Sequence, residues 1–331
     1  MTILVTGVAG FIGMHLTLNL IDRGFQVVGI DNLNSYYEPS LKLDRLNNLG
    51  SKPGFSFYCV DVADHAALSR VFEKHKIDQI IHLAAQAGVR YSISNPLSYG
   101  QSNLVGFLNI LEMARTHTVE HLIYASSSSV YGRSSKAPFS EDVKADEPVS
   151  LYAATKRANE LMAYSYSNLY GLRTTGLRFF TVYGPWGRPD MAYYSFTKAI
   201  FDGQPINVFN NGDLTRDFTY IDDIVNGIVA VLEKTADSDG TDGRDGSSGA
   251  FNVFNIGNEN PVGLMHFIET LEKNIGKKAE KIFLPMQKGD VYSTHASTEK
   301  LNRWTGYAPK IGIEEGLARF VEWFRRYHQK A

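Results

Sequence analysis

The apolar run Thr2-Ile3-Leu4-Val5-Thr6 passes straight into Gly7-Val8-Ala9-Gly10-Phe11-Ile12-Gly13, and an amphipathic stretch from His15 to Arg23 follows. Strand, glycine turn and helix in that order commit the start of the chain to a β-α unit. Glycines in such a turn permit a tight bend, close approach of backbone to a pyrophosphate, and packing of the helix on the sheet. The phosphate then lies at the helix N-terminus. The alternation continues. Gln26 to Ile30 reads as a second strand ending at Asp31-Asn32, Phe55 to Val60 as a third ending at Asp61-Val62, and Ile77 to Leu83 as a fourth. This pattern predicts an α/β fold, a Rossmann-type doubly wound parallel sheet with its site at the strands' carboxyl ends.

An acid about twenty residues past the glycines can take both ribose hydroxyls of a bound adenosine. Asp31 stands there. Its carboxylate would repel a 2′-phosphate, so NAD rather than NADP is expected; the plain alternative is a turn residue after a strand. Asp61 and Val62 are placed for the adenine, and the small residues after His82 let backbone approach the cofactor.

A second cluster lies further on. Leu122-Ile123-Tyr124-Ala125 reads as the end of a buried strand and runs into Ser126-Ser127-Ser128-Ser129-Val130-Tyr131-Gly132. Tyr152 opens an alanine-rich helix with Lys156 one turn along on the same face. A tyrosine normally titrates near 10. A neighbouring ammonium and a cationic nicotinamide would both favour the phenolate and make Tyr152 a base near neutral pH. The bland reading is a buried aromatic, a surface lysine and a polar turn.

The 331 residues exceed a typical single core, so a large α/β unit with a smaller lobe is expected. Net charge is −2 with scattered Lys and Arg, which gives no sign of a nucleic-acid surface or a polybasic membrane anchor. Cys59 is the single cysteine, excludes an internal disulfide, and is read as a small core residue in its apolar run. No signal peptide and no apolar run near ~18 residues is seen, so a cytoplasmic protein is expected. The nine histidines show no metal-binding spacing, His117 and His121 read as loop and strand-edge residues, and no metal is expected.

The glycine spacing, G-x-x-G-x-x-G, resembles that of short-chain dehydrogenase/reductases. The resemblance becomes specific in Asp31-Asn32-Leu33-Asn34-Ser35-Tyr36-Tyr37, in His82 to Tyr91, in Ser126 to Gly132 and above all in Arg178 to Met191, RFFTVYGPWGRPDM. These stretches resemble the UDP-glucuronate 4-epimerase family of extended short-chain dehydrogenase/reductases, from Met1 to about Trp323. The resemblance implies a smaller C-terminal α/β lobe for the UDP-sugar, tightly bound NAD, and inversion at C4 of a UDP-hexuronate through a 4-keto sugar. It makes Tyr152 the base, Lys156 its partner on the nicotinamide ribose, and Ser127 the hydroxyl partner, with the serine run leaving that choice open by one position. Cofactor contacts are expected at Gly7, Gly10, Phe11, Ile12, Gly13, Asp31, Asn32, Asn34, Ser35, Asp61, Val62, Leu83, Ala84, Ala85, Gln86 and Asn103, besides Tyr152 and Lys156. Substrate contacts are expected at Arg90, Ser127, Ser128, Ser129, Tyr152, Thr181, Arg188, Arg216 and Asp290. Arg216 is implied for the diphosphate and Asp290 for the uridine ribose; Gln287 stands where some relatives have an arginine.

Arg188 has its own physical argument. A buried hexuronate carboxylate needs a partner, and an arginine fork meets it with two parallel hydrogen bonds. Holding that carboxylate out of alignment with the C4 ketone would suppress loss of CO2. The competing reading is a phosphate contact or a loop cap. Close relatives are disfavoured by the residues themselves: dehydratases and decarboxylases carry carboxylates where Ser128 and Ser129 stand, and galactose-type epimerases generally have Asn in place of Thr181. The alternatives kept are a UDP-glucuronate decarboxylase or a UDP-glucose/galactose 4-epimerase, and a non-enzymatic NAD-binding regulator.

The expected division is a cofactor domain over 1–180 and a substrate lobe over 181–331, with the chain crossing between them. Helices are read over Asn103 to Thr116, with Leu104, Phe107, Leu108 and Leu111 apolar, and over Tyr152 to Tyr170. Both either cover the sheet or form an intersubunit four-helix packing, and a homodimer is expected from the family. In the second half, Ala192 to Phe201 reads as a helix, Pro205 to Phe209 as a strand, Asn211 to Phe218 as a loop, and Ile221 to Leu232 and Glu314 to Tyr327 as helices. The Gly/Ser/Asp/Thr stretch over 235–249 is read as a flexible surface loop.

Overall fold

The structure is a computed structural model that describes residues 1–132, 137–237, 251–287 and 290–328. Seven strands form one sheet: β1 (Thr2–Thr6), β2 (Gln26–Asp31), β3 (Phe55–Cys59), β4 (Gln79–His82), β5 (His121–Ser127), β6 (Thr174–Phe179) and, after a long excursion, β10 (Phe251–Ile256). The order across it is β3-β2-β1-β4-β5-β6-β10, and every neighbouring pair is parallel. Parallel strands need crossover helices, and these cover both faces. Alternate residues of β1 accordingly enter different cores. Ile3 and Val5 pack with Met14 and Leu16 of α1 (Phe11–Asp22). Leu4 packs with Leu68 of α3 (His65–Lys74) and with Phe107 and Leu111 of α6 (Gly106–Thr116). The helix α2 (Pro39–Leu49) follows β2, and α7 (Leu151–Tyr170), begun by an N-cap bond from Ala153 N to Ser150 Oγ at 3.1 Å, joins β5 to β6.

The remaining strands are short. β7 (Thr181–Tyr183), β9 (Thr215–Tyr220) and β11 (Pro261–Gly263) form a mixed sheet in the order β11-β9-β7, and β8 (Ile206–Phe209) pairs in parallel with β12 (Lys281–Leu284). The helices α8 (Ala192–Phe201), α9 (Ile221–Asp237), α10 (Leu264–Ile275), α11 (Glu299–Thr305) and α12 (Ile313–His328) surround them. The first core continues into this region through Tyr183, Tyr193, Phe267 and Phe320. Short α4 (Tyr91–Ser94) and α5 (Pro96–Tyr99) lead into a π-helical turn, Gly100–Val105, before α6. Among the described residues no helix is long and apolar enough to cross a membrane.

Several sequence expectations are corrected. Cys59 is exposed, because β3 is an edge strand that the helices cover only in part. The first helix begins at Phe11 instead of His15, so the glycine turn feeds directly into it. The helix read from Asn103 starts as the π turn, and of its apolar positions Phe107 and Leu111 are buried while Leu108 is 42% exposed. Within the loop read over Asn211 to Phe218, β9 already begins at Thr215, where Arg216 and Asp217 pair with Val262 and Pro261. His121 is fully buried at the start of a central strand. The flexible loop was placed from Thr235, but α9 runs to Asp237; the rest of that stretch lies outside the described residues.

Candidate active site

One cleft of about 490 Å³ opens along the carboxyl ends of β1, β2, β4 and β5. Its first wall is the glycine turn. Gly7 has φ +73°, and a Cβ there would stand 2.9 Å from Ala84 N. Glycine is required because the backbone of the β4 end passes directly over it. The Thr6 hydroxyl accepts from Leu83 N at 3.1 Å and Ala84 N at 3.0 Å, so its hydrogen is left for His82 Nδ1 at 2.8 Å. Burial and the nearby Lys156 charge lower His82 to about 3, which keeps it the neutral acceptor that this bond needs.

Asp31 ends β2, with Oδ2 accepting from Ala9 N at 3.1 Å and Oδ1 from Leu33 N at 2.9 Å; burial raises its pKa against these bonds. Asn32 donates to Asp61 Oδ2 at 2.9 Å and ties the β2 end to the β3 end. Gly10, Phe11, Ile12, Gly13, Asn34, Val62, Leu83, Ala84, Ala85 and Gln86 also line the cleft. Two expected contacts do not. Ser35 stands outside the lining. Asn103 is buried behind it, accepting from Gln86 N at 2.8 Å and donating to Gln86 O and to Thr155 Oγ1, both at 3.0 Å. It joins the cofactor wall to the catalytic helix instead of touching the cleft. Lys42, missed from sequence, lines the cleft and donates to Asn34 O at 2.8 Å and Asn34 Oδ1 at 2.9 Å.

Tyr152 and Lys156 face the same cleft from the first turns of α7. Burial pushes the Tyr152 phenol up, while the nearby Ser127 hydroxyl and the Arg188 guanidinium favour the phenolate. Lys156 Nζ donates to Ala125 O at 2.8 Å, and burial brings it down to about 8. Arg188 is thus a cation acting on the phenol that the sequence did not foresee, and Lys156 lines the same cleft. Ser127 is the serine beside Tyr152. Ser126 turns the other way and donates to Glu160 Oε1 at 2.6 Å. Glu160 also takes Arg178 Nε and Nη2, both at 2.8 Å, and Arg157 Nη1 at 2.9 Å, all but the last from a fully buried setting. This hidden ion pair anchors the serine turn from below.

Ser128, Ser129, Thr181, Arg188, Arg216 and Asp290 also line the cleft. Arg188 donates Nε to Asp190 Oδ1 at 3.0 Å and Nη2 to Asp190 Oδ2 at 2.5 Å, and Tyr36 donates to the same Oδ2 at 3.1 Å. Asp190 was missed, although an acid two residues from Arg188 was a signal for it. The Arg188 fork expected for a ligand is thus engaged within the chain, which leaves its Nη1 edge as the remaining donor. Arg216 Nη2 donates to Asp290 Oδ1 at 2.6 Å, so the two residues expected on neighbouring parts of one ligand pair with each other. Arg90 is exposed, lies over the Phe209 ring at 5.4 Å, and is not part of the lining. No group of three or more His, Cys, Asp or Glu able to hold a metal occurs among the described residues.

The pattern of the NAD dependent epimerase/dehydratase family matches residues 3–257. This chain belongs to that family. It is 51% identical to Protein CapI of Staphylococcus aureus over 335 residues, covering 100% of both chains. It is 48% identical to a probable UDP-glucuronate 4-epimerase of Rhizobium meliloti, covering 100% of this chain and 99% of that one. In three dimensions it is similar to UDP-glucuronic acid 4-epimerase from Bacillus cereus in complex with UDP-glucuronic acid and NAD, with TM-score 0.89, 35% identity, and 99% and 100% of the two chains covered. The cleft fits the family's cofactor: Gly7, Gly10 and Gly13 line it in a turn wound so tightly that a Cβ on Gly10 would meet Gly7 O at 2.8 Å, and Asp31 lines it as well.

Proposed function

We infer that this protein is an NAD-dependent UDP-glucuronate 4-epimerase, interconverting UDP-glucuronate and UDP-galacturonate through a 4-keto sugar. The observation that carries this reading is the meeting, in one cleft, of Tyr152, Ser127 and Lys156 with Arg188 and a carboxylate-free serine turn. Bound NAD supplies the acceptor for the C4 hydride and the donor for its return to the opposite face. Gly7, Gly10, Gly13 and Asp31 would hold its pyrophosphate and adenosine ribose. Tyr152 takes the proton of the C4 hydroxyl and gives it back, with Ser127 steadying it by hydrogen bond. Lys156, held by Ala125 O, supplies positive charge at the base of the same wall.

Arg188 carries the specificity in this reading. It meets the hexuronate carboxylate through its free edge while Asp190 fixes its other side, and Thr181, Ser128 and Ser129 offer further hydrogen-bonding atoms. The carboxylate is kept charged and out of line with the ketone, which opposes decarboxylation of the keto acid. Arg216 and Asp290 hold the diphosphate and uridine ribose. Loss of Arg188 should weaken UDP-glucuronate by roughly 2–5 kcal/mol while sparing UDP-glucose; equal losses for both would remove the carboxylate role.

We propose a cytoplasmic homodimer. Leu108 of α6 and Leu161, Tyr164 and Leu169 of α7 leave apolar surface exposed on the two helices, which supports the four-helix packing over the sheet-covering role alone. Light scattering on Leu161→Glu should report a monomer.

The direct test is to incubate the purified protein with UDP-glucuronate, without added cofactor, and follow the sugar by proton NMR. UDP-galacturonate is the expected product. A UDP-pentose with released CO2 would overturn the reading in favour of a decarboxylase.

A further inference from the structure

We propose that Arg45, together with His15 and Tyr36, positions the turn bearing Arg188, and so couples the adenosine end of the cofactor site to recognition of the hexuronate carboxylate. This deepens the functional reading above and rests on it for the role of Arg188.

Three successive carbonyls of that turn are taken by side chains from the cofactor wall. Pro185 O accepts from His15 Nε2 on α1 at 2.9 Å. Trp186 O accepts from Arg45 Nε at 3.1 Å and Nη2 at 2.6 Å, and Gly187 O from Arg45 Nη2 at 3.1 Å. The remaining nitrogen of Arg45, Nη1, donates to Ala9 O in the glycine turn at 3.1 Å and to the Tyr37 hydroxyl at 2.5 Å. Arg45 is fully buried, and each of these bonds goes to a neutral oxygen. A buried guanidinium whose hydrogen bonds all end on neutral oxygens is a poor source of stability compared with an apolar side chain of its size. What its planar fork supplies is position.

The turn needs such support. Trp186 has φ +63°, an uncommon conformation for a bulky residue that persists only when its surroundings impose it. Arg45 holds its carbonyl, and Trp323 and Tyr327 pack on its ring at centroid distances of 5.4 and 5.2 Å. Tyr327 in turn donates to Asp44 Oδ2 at 2.5 Å, beside Arg45 on α2.

The same segment that begins at Asp31 grips the turn at its far end as well. Tyr36 holds Asp190, the partner of Arg188, and Tyr37 holds Arg45. Ala9 closes the circuit: its N–H goes to Asp31 and its carbonyl to Arg45. Filling the ribose site on Asp31 therefore stiffens the glycine turn, and through Arg45 the placement of Arg188.

The test uses NAD-bound protein carrying Tyr152→Phe to prevent turnover. Arg45→Lys, which keeps the charge and loses the fork, and Tyr36→Phe, a milder change at a partly exposed residue, are each titrated with UDP-glucuronate and UDP-glucose. Each is expected to weaken UDP-glucuronate about tenfold and UDP-glucose by less than about threefold. Hydrogen exchange over 184–191 is expected to quicken about tenfold in Arg45→Lys, with β5 and α7 unchanged. Equal loss for the two sugars, or unchanged exchange over 184–191, would overturn the proposal. Arg188→Ala run alongside separates the two ideas: if it fails to discriminate the sugars, the carboxylate reading falls, and the exchange data still decide whether Arg45 holds the turn. If Arg45→Lys does not fold, Tyr36→Phe decides by its ratio of affinities.

Discussion

On the sheet side of the cleft, Asp31, Ser127 and the backbone at Leu83-Ala84 stand at or just past the ends of β2, β5 and β4, where ladder bonds fix them. Opposite them, Arg188 and Asp290 stand on turns and Arg216 at the start of a short strand. The second group is held by ion pairs, Arg188 with Asp190 and Arg216 with Asp290. One wall is thus preformed and the other pre-paired. A nucleotide can enter the first without disturbing it. A charged sugar must share or displace carboxylates that already neutralise the second, so the protein spends selectivity on that side.

The largest effect should come from the preformed wall. Tyr152→Phe removes the base and should lower turnover by about 10³-fold or more, while NAD stays with the purified protein. Loss of NAD, read from the absorbance of the denatured supernatant, would show that this wall is not preformed. Next in size is Glu160→Gln beneath the same wall. It breaks a buried pair and leaves Arg178 uncompensated, which should cost about 3–5 kcal/mol in urea unfolding. Asp290→Asn, in a partly exposed pair, should cost no more than about 1 kcal/mol. Similar costs for the two would erase the contrast.

Acid should act on the sheet side too. Burial lowers His82 and His121 to about 3, with Lys156 and Arg173 adding to it. Below pH 6.5 the unfolded chain takes up protons that these two refuse when folded, so stability falls as pH drops toward the folded value. Each contributes about 1 kcal/mol between pH 6.5 and 5.5, its slope approaching about 1.4 kcal/mol per pH unit below that. Unfolding midpoints between pH 6.5 and 5.5 measure this; burial lowers His15 as well, to about 4, so His121→Phe should remove no more than about a third of the histidine-linked slope. Arg216→Ala is expected to weaken UDP about tenfold by calorimetry with no change in NAD content.

Legibility in the sequence followed the same division. Gly7, Gly10, Gly13, Asp31, Tyr152 and Lys156 belong to local patterns, strand-turn-helix and one helical turn, and their elements form in the expected order, the first helix starting earlier than read, at Phe11. Asp190 lies only two residues from Arg188, whereas Arg45 belongs to contacts that only the fold creates, meeting Trp186 across 141 residues. One signal for it was present: Leu41, Arg45 and Leu49 share a face of α2, and the two leucines are buried. Cys59 was misread because periodicity identifies a strand without saying whether it lies at an edge. Arg90 and Ser35 belong to motif stretches that do reach the cleft, but neither is among the residues lining it, and Arg90 lies over the Phe209 ring instead.

The place of β10 bears on how the chain is made. Residues Phe251–Ile256 pair with Thr174–Phe179, so the outer edge of β6 stays uncovered while everything between them is synthesised. From Phe179 to Ile256, at about 5–20 residues per second, the wait is on the order of 4–15 s. A nascent chain with an open parallel edge is exposed to pairing with its neighbours on the same message. The last strand of the sheet is therefore also the step that ends the period of risk, and a chain cut short before Phe251 never reaches it.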